Sequence, residues 1–316
     1  MWITLVALTV VALVVAAAYF VYKLAFGRES AGQEDAYALP PGKQQAAYSS
    51  VIYDNITQLL KQPCEQVSIT SWDGTKLSAR YYHRKDGAPL QIQFHGYRGN
   101  AIREFAGTFR MAQALEINSL VVDMRAHGNS GGRCITLGLW ESEDCLCWAE
   151  YAYQRFGRHT PVVLTGASMG ATTVLLASAL PLPENVKCVV ADSPFSSTKG
   201  IIRKVCKIAR IPFWVGYPLA VLGAALFGRF SLGRGSALKA VATAKVPVLL
   251  IHGDADRFVP CDMSRQLYAA CTGDKRLFMV TGAGHCLSYY ADPEGYFQQL
   301  RNLFVQYGLF DPDKLQ

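Results

Sequence analysis

The chain has 316 residues, and the 51% that are apolar are enough for one substantial core with appendages. Its formal net charge of +7 comes with no arginine-rich tail and no recognisable nucleic-acid module, so an anionic membrane surface is the more economical partner. The nine cysteines are scattered and odd in number, which suits a reducing compartment better than a disulfide framework, and no Cys/His spacing supports a metal site.

Along the chain, residues Ile3 to Phe20 carry no charge, and the apolar run continues to Tyr22. About 20 residues is the length that crosses a bilayer as a helix. A cleaved signal peptide is the competing reading, since Ala16-Ala17-Ala18 mimics a cleavage site. The run is long for such a peptide, and no Lys or Arg precedes it, which favours an uncleaved anchor over residues 1–26. Lys23 and Arg28 flank the C-terminal side, so the positive-inside bias leans towards a cytosolic domain, with an extracytoplasmic one as the alternative. Residues 27–63 read as a juxtamembrane linker or arm, polar up to residue 50 and containing Pro40-Pro41-Gly42.

A folded domain is expected over residues 64–316. Val67 to Ser71 and Lys76 to Tyr82 flank Asp73-Gly74, a hairpin-turn signal. Strands are then predicted near 89–94, 118–123, 161–165, 187–192, 246–251 and 276–280, with helices between most of them. This alternation predicts an α/β fold with a mostly parallel, doubly wound, eight-stranded sheet and an antiparallel N-terminal hairpin. Asp123 to Gly132 reads as a structural loop braced by Arg125 and His127. Glu141 and Asp144 suit the positive end of the next helix dipole and are not assigned to catalysis. Cys145 and Cys147, inside that helix, point to different faces and suit neither a disulfide nor a zinc pair.

Thr165-Gly166-Ala167-Ser168-Met169-Gly170 separates strand-like Pro161-Val162-Val163-Leu164 from a helix-like run of small and apolar residues beginning at Ala171. A serine on such a strand-to-helix turn is held in a strained conformation with its hydroxyl exposed at the top of the sheet. The G-x-S-x-G pattern alone is weak. Its context strengthens it: His252 to Pro260 and Thr281 to His285 also follow predicted strands, at the ends where open α/β sheets bind ligands.

Between about Ser196 and Thr243 the alternation breaks, and a cap or lid is expected there. Ile201, Ile202, Val205, Ile208 and Ala209 share one helical face, and Arg203, Lys204, Lys207 and Arg210 occupy much of the other. Phe213 to Phe227 is almost wholly apolar. Pro212, Gly216, Pro218 and Gly223 weaken a second membrane span, so a lid lining an apolar acyl pocket is the expectation. A membrane-docking lid and an ordinary buried cap both remain open for its basic face.

Residues 64 to 308 resemble the α/β-hydrolase superfamily, and are similar to bacterial membrane-anchored esterases and serine-aminopeptidase-like members. The resemblance rests on His95-Gly96, Asp123 to Ser130, the Ser168 turn, the Asp256 segment and Gly284-His285. It implies a triad in the order Ser168, Asp256, His285. His285 is the histidine that follows both serine and acid in that order. Asp192 and Asp254 are the alternative acids, and Asp254 could instead shape its turn. The resemblance also implies an oxyanion hole formed by the backbone amides of Tyr97 and Met169. No cofactor and no metal are expected. The expected function is a membrane-anchored serine hydrolase that cleaves carboxylic acyl esters, including lipid-like ones. A peptidase or thioesterase with the same triad is the alternative, and a non-catalytic hydrolase-like binding protein the remoter one.

Overall fold

The computed structural model describes residues 1–28, 36–40 and 42–309. Its centre is a sheet of β1 (Glu65–Thr70), β2 (Lys76–Tyr82), β3 (Leu90–Phe94), β4 (Asn118–Asp123), β5 (Val162–Ala167), β6 (Val186–Asp192), β7 (Val248–Gly253) and β8 (Lys275–Val280). The order across the sheet is β1-β2-β4-β3-β5-β6-β7-β8. β2 is antiparallel to both β1 and β4, and the remaining pairs are parallel. This is the α/β-hydrolase fold. The β1–β2 turn closes with Gly74 at φ +82°, a left-handed conformation that glycine adopts without a side-chain clash.

β3, β4, β5 and β7 are buried at every position, because helices cover both faces. Their apolar runs rich in Val, Ile and Leu suit that environment. The chain order turns back at β3, which lies between β4 and β5. The crevice beyond the carboxyl ends of β3 and β5 is therefore the topological switch point, where such sheets hold ligands.

At the N-terminus, α1 (Trp2–Phe26) is exposed along most of its length, but Ala18, Tyr22 and Phe26 are buried. After α2 (Lys43–Ala46), the helix α3 (Ser49–Leu60) packs on α4 (Ala101–Ala114). Ile52, Ile56 and Leu59 lie on one face and bury against Phe105, Phe109 and Tyr82. Each such side chain contributes roughly 1.5–3 kcal/mol of burial. Part of the stretch expected to be a linker over 27–63 is thus packed structure. Residues 29–35 and 41 of that stretch, and 310–316 of the expected domain, lie outside the described residues.

α5 (Leu139–Phe156) and α6 (Met169–Ala177) pack together beside the sheet. Residues 196–243 contain α7 (Thr198–Ile208), α8 (Phe213–Gly223), a π-helical turn (Ala224–Gly228), a short 3-10 turn and α9 (Ala237–Val241). α8 and the turn after it pack against the base of α1. Tyr19, Tyr22 and Phe26 of α1 meet Phe227 and Phe230 ring to ring. α10 (Asp262–Ala270), α11 (Ser288–Ala291) and α12 (Pro293–Gln306) complete the described chain.

Candidate active site

Ser168 sits between β5 and α6 at φ 53° and ψ −111°, a backbone conformation that costs a non-glycine residue of order 1–3 kcal/mol. The surroundings leave it little choice. Its amide donates to Asp192 O at 2.8 Å. A Cβ at Gly166 would lie 2.2 Å from the Gly170 carbonyl carbon, and one at Gly170 only 1.9 Å from Phe94 O. Backbone meets backbone at both places, so neither can yield to a side chain.

His285 reaches Ser168 from the loop after β8. Its Nε2 lies 2.9 Å from Ser168 Oγ and its Nδ1 lies 2.7 Å from Asp256 Oδ2. Asp256 hangs from the loop after β7, where its Oδ1 accepts from the amides of Phe258 and Val259, each at 2.8 Å. Burial pushes this carboxyl up, but the hydrogen bonds from His252 and His285 outweigh it and hold the group well below the usual carboxylate range.

The two alternative acids are engaged elsewhere. Asp192 accepts from the Ser193 and Ser288 hydroxyls at 2.9 and 3.0 Å, and burial raises its pKa. Asp254 Oδ1 accepts from Gly282 N at 2.7 Å and ties the β7 and β8 loops together.

Tyr97 and Met169 flank the same crevice: Met169 opens α6, and Tyr97 follows the His95-Gly96 turn after β3. Two buried histidines brace that turn. His95 accepts from Met124 N on Nε2 at 3.0 Å, and His127 accepts from Arg98 N on Nε2 at 3.0 Å. Their Nδ1 atoms are therefore left to donate to Gly96 O and Arg125 O, both at 2.8 Å. Burial pushes the pKa of His95 down to about 4 and that of His127 to about 3, so both are neutral near pH 7.

Arg125 and the two carboxylates at the start of α5 are structural. Arg125 is buried and pairs with Asp144 and Asp73, while Glu141 accepts from the amides of Thr136 and Gly138.

Three contacts were not legible in the sequence. His252, fully buried at the end of β7, places Nε2 3.2 Å from Asp256 Oδ2 and Nδ1 2.7 Å from Ser264 Oγ. Glu104 of α4 accepts from Gly96 N at 2.6 Å, next to Tyr97. The last turn of α1 touches the same loop: Tyr97 Oη donates to Ala25 O at 3.1 Å and Arg98 Nη2 to Leu24 O at 2.8 Å. The one local signal was His252-Gly253 at the end of the strand that leads to the acid.

A cavity of about 690 Å³ opens over Ser168 and His285. Leu39, Ile52, Phe105, Phe258 and Tyr290 supply much of its apolar and aromatic wall. The expectation that the 196–243 cap lines this pocket is corrected here: among the described residues, none of the lining comes from that segment. The segments around Leu39 and Ile52 cover the site instead, and α8 packs against α1 rather than over the cavity.

The sequence profile of the prolyl oligopeptidase family matches residues 134–302, more than half of the chain. The chain belongs to the prolyl oligopeptidase family. Among relatives of this family member, the Bacillus subtilis protein YqkD is 28% identical over 173 residues, 54% of this chain and 57% of YqkD. The chain thus spans less than two thirds of that relative. Human ABHD12B is 29% identical over 58% of the chain and 50% of its own length. Among solved structures, the Pyrococcus furiosus esterase Pf2001 superposes with a TM-score of 0.63 at 23% identity, covering 79% of this chain and 93% of that one. Est1E from Butyrivibrio proteoclasticus, with ferulic acid bound, gives 0.56 at 21% identity, covering 76% and 98%. At such identities the likeness shows the fold alone. The family member has the α/β-hydrolase fold.

Proposed function

We propose that the protein is a membrane-anchored serine hydrolase that cleaves carboxylic esters through an acyl-enzyme. One observation carries the reading: Ser168 Oγ, His285 and Asp256 form a continuous hydrogen-bonded line with links of 2.9 and 2.7 Å. Ser168 Oγ attacks the ester carbonyl while His285 Nε2 takes its proton. Asp256 holds the Nδ1–H tautomer and stabilises the imidazolium that forms. The amides of Tyr97 and Met169 receive the oxyanion, and the start of α6 adds a favourable dipole. His285 then protonates the departing alkoxide, and water repeats the sequence to release the acid.

The apolar and aromatic cavity wall supports an acyl ester as substrate. A peptidase is the second reading. It is favoured by the family, and by Glu104, a carboxylate in the cavity wall where a substrate amine would be held. Glu104 already receives Gly96 N, which tilts the choice to esters. A thioesterase would use the same groups.

The anchor reading draws support from the packing of α1. Its 25 residues are strongly apolar, and its last turn is built into the core through Phe26 and held by Tyr97 and Arg98. Such integration favours a retained helix over a cleaved one, and Lys23 and Arg28 favour the cytosolic side for the catalytic domain.

The test is fluorophosphonate labelling of the full chain, followed by a hydrolysis panel of acyl esters of increasing length beside thioesters and aminoacyl amides. Labelling at Ser168 with ester turnover is the expected result. Turnover of amides alone would select the peptidase, and no labelling would end the serine-hydrolase reading.

A further inference from the structure

α1 has 25 residues, yet the protein takes hold of it from Ala18 onward. The protruding part, residues 2–17, is only ~24 Å long at about 1.5 Å per residue. A bilayer's hydrocarbon core is about 30 Å thick, and any tilt of the helix increases the shortfall. About four more residues of the same uncharged run, Ala18 to Val21, bring the apolar length of α1 to about 30 Å.

Those residues do not stand alone. A Cβ at Gly223 of α8 would lie 2.5 Å from Ala18 O, so the two helix backbones are in close approach through small residues, as helix pairs in lipid are. Phe227 packs on Tyr19 and Tyr22. Whatever depth Ala18 to Val21 reaches, the end of α8 and its π turn reach too.

The surface around this junction is apolar. Phe20 and Leu24 of α1 are exposed, as are Ile211, Trp214 at 78% and Leu226 at 51% on the cap. Arg203, Lys207 and Arg210 are exposed beside them, with Arg203 stacked on Phe213 at 4.6 Å. The cap supplies none of the described lining of the cavity, so this apolar face with a basic border lies outside the cavity wall.

We propose that the cap is a second membrane element. α8 and its π turn sink with the base of α1 into one leaflet, to the depth of about 5–10 Å at which amphipathic helices lie, while the basic residues of α7 meet anionic phospholipid headgroups. The proposal rests on the reading of α1 as a retained membrane span. It fixes the orientation of the catalytic domain, because α1 and α8 grip the bilayer at two points.

The experiment uses the full chain in phosphatidylcholine–phosphatidylglycerol vesicles containing a lipid with a diazirine in its acyl chain. After irradiation, digestion and mass spectrometry locate the adducts. Adducts on both α1 and residues 211–227 are expected. In the double variant Trp214→Asp, Leu226→Asp, whose sites are on the surface, the adducts on 211–227 are lost and those on residues 3–15 remain. Adducts confined to α1 in the unmodified protein overturn the proposal and leave the span intact. Absence of adducts from α1 overturns the span reading itself. Equal labelling of α12, or adducts on 211–227 that persist in the double variant, also overturns the proposal.

Discussion

Asp256→Asn exchanges one oxygen for an amide nitrogen at nearly constant volume, and the local donors dictate which way the new side chain faces. Oδ1 of Asp256 receives two backbone N–H groups, from Phe258 and Val259, at 2.8 Å each. An asparagine must keep its oxygen there, since backbone N–H groups can only donate, whereas the imidazoles of His252 and His285 at the other position can change tautomer. The NH2 is then directed at His285 Nδ1, which sits 2.7 Å from the present Oδ2. It donates to Nδ1 and drives the imidazole proton onto Nε2, against Ser168 Oγ. That tautomer cannot take the serine proton. The same exchange in a serine-protease triad lowers kcat about ten-thousand-fold, or about 5.5 kcal/mol at 1.36 kcal/mol per tenfold. Asp192 receives the rotatable hydroxyls of Ser193 and Ser288, which adapt to an amide, so Asp192→Asn is expected to stay within about tenfold. The assay is kcat/KM on a short p-nitrophenyl ester together with the fluorophosphonate labelling rate, with melting temperature as the control for folding. A loss under tenfold in a folded Asp256→Asn protein, or a larger loss in Asp192→Asn, refutes the assignment of the acid.

Ser168→Ala is expected to abolish labelling and to reduce ester turnover by several orders of magnitude without unfolding the chain; turnover retained by a folded variant removes the nucleophile from the mechanism. Phe26→Ala is expected to cost about 3–5 kcal/mol, because Phe26 is fully buried at the base of α1 and packs edge-on against Phe230 at 5.4 Å; an unchanged melting temperature in detergent would show that α1 does not contribute to the core. Stability is expected to fall as pH drops below about 6.5, where histidines of the unfolded chain take up protons that native His95 and His127 refuse down to about 4 and about 3. The sign follows from folded values below the unfolded one: stability is full above pH 6.5 and lost on acidification, with a slope approaching about 2.7 kcal/mol per pH unit, about 1.36 for each group, while both are protonated only in the unfolded chain. Denaturant titrations between pH 4.5 and 7 measure the slope, and a flat profile there contradicts buried neutral histidines.

The sheet was legible in the sequence because its signals are local. Runs such as Val248-Leu249-Leu250-Ile251 are long enough to be buried on both faces, and Asp73-Gly74 marks a turn wherever it stands between strands. The Ser168 turn was legible for a similar reason: the two glycines of its motif are required by backbone contacts with Phe94 and within the turn itself. The strand ends then carry Asp256 and His285 towards it without any further instruction.

What the sequence left unread depends on which surface meets which. Ile52, Ile56 and Leu59 already had helical spacing, but the polar, proline-bearing stretch before them disguised α3 as the end of a linker. The apolar residues of the cap were visible, yet periodicity gives a face and not its partner. α7 packs on α8 and α8 on α1, and the cavity is walled from the side of Leu39 and Ile52 instead. One consequence ties the termini of these elements to the chemistry. Ala25 and Leu24 end α1 on carbonyls that Tyr97 and Arg98 hold, while His95, His127 and Glu104 fix the same loop from the opposite side. The base of α1 therefore supports the loop beside the site. Removing residues 1–26 to make a soluble enzyme would take away Tyr22 and Phe26 from the core and two acceptors from the loop carrying the proposed oxyanion amide, whereas cutting before Ala18 would spare them all.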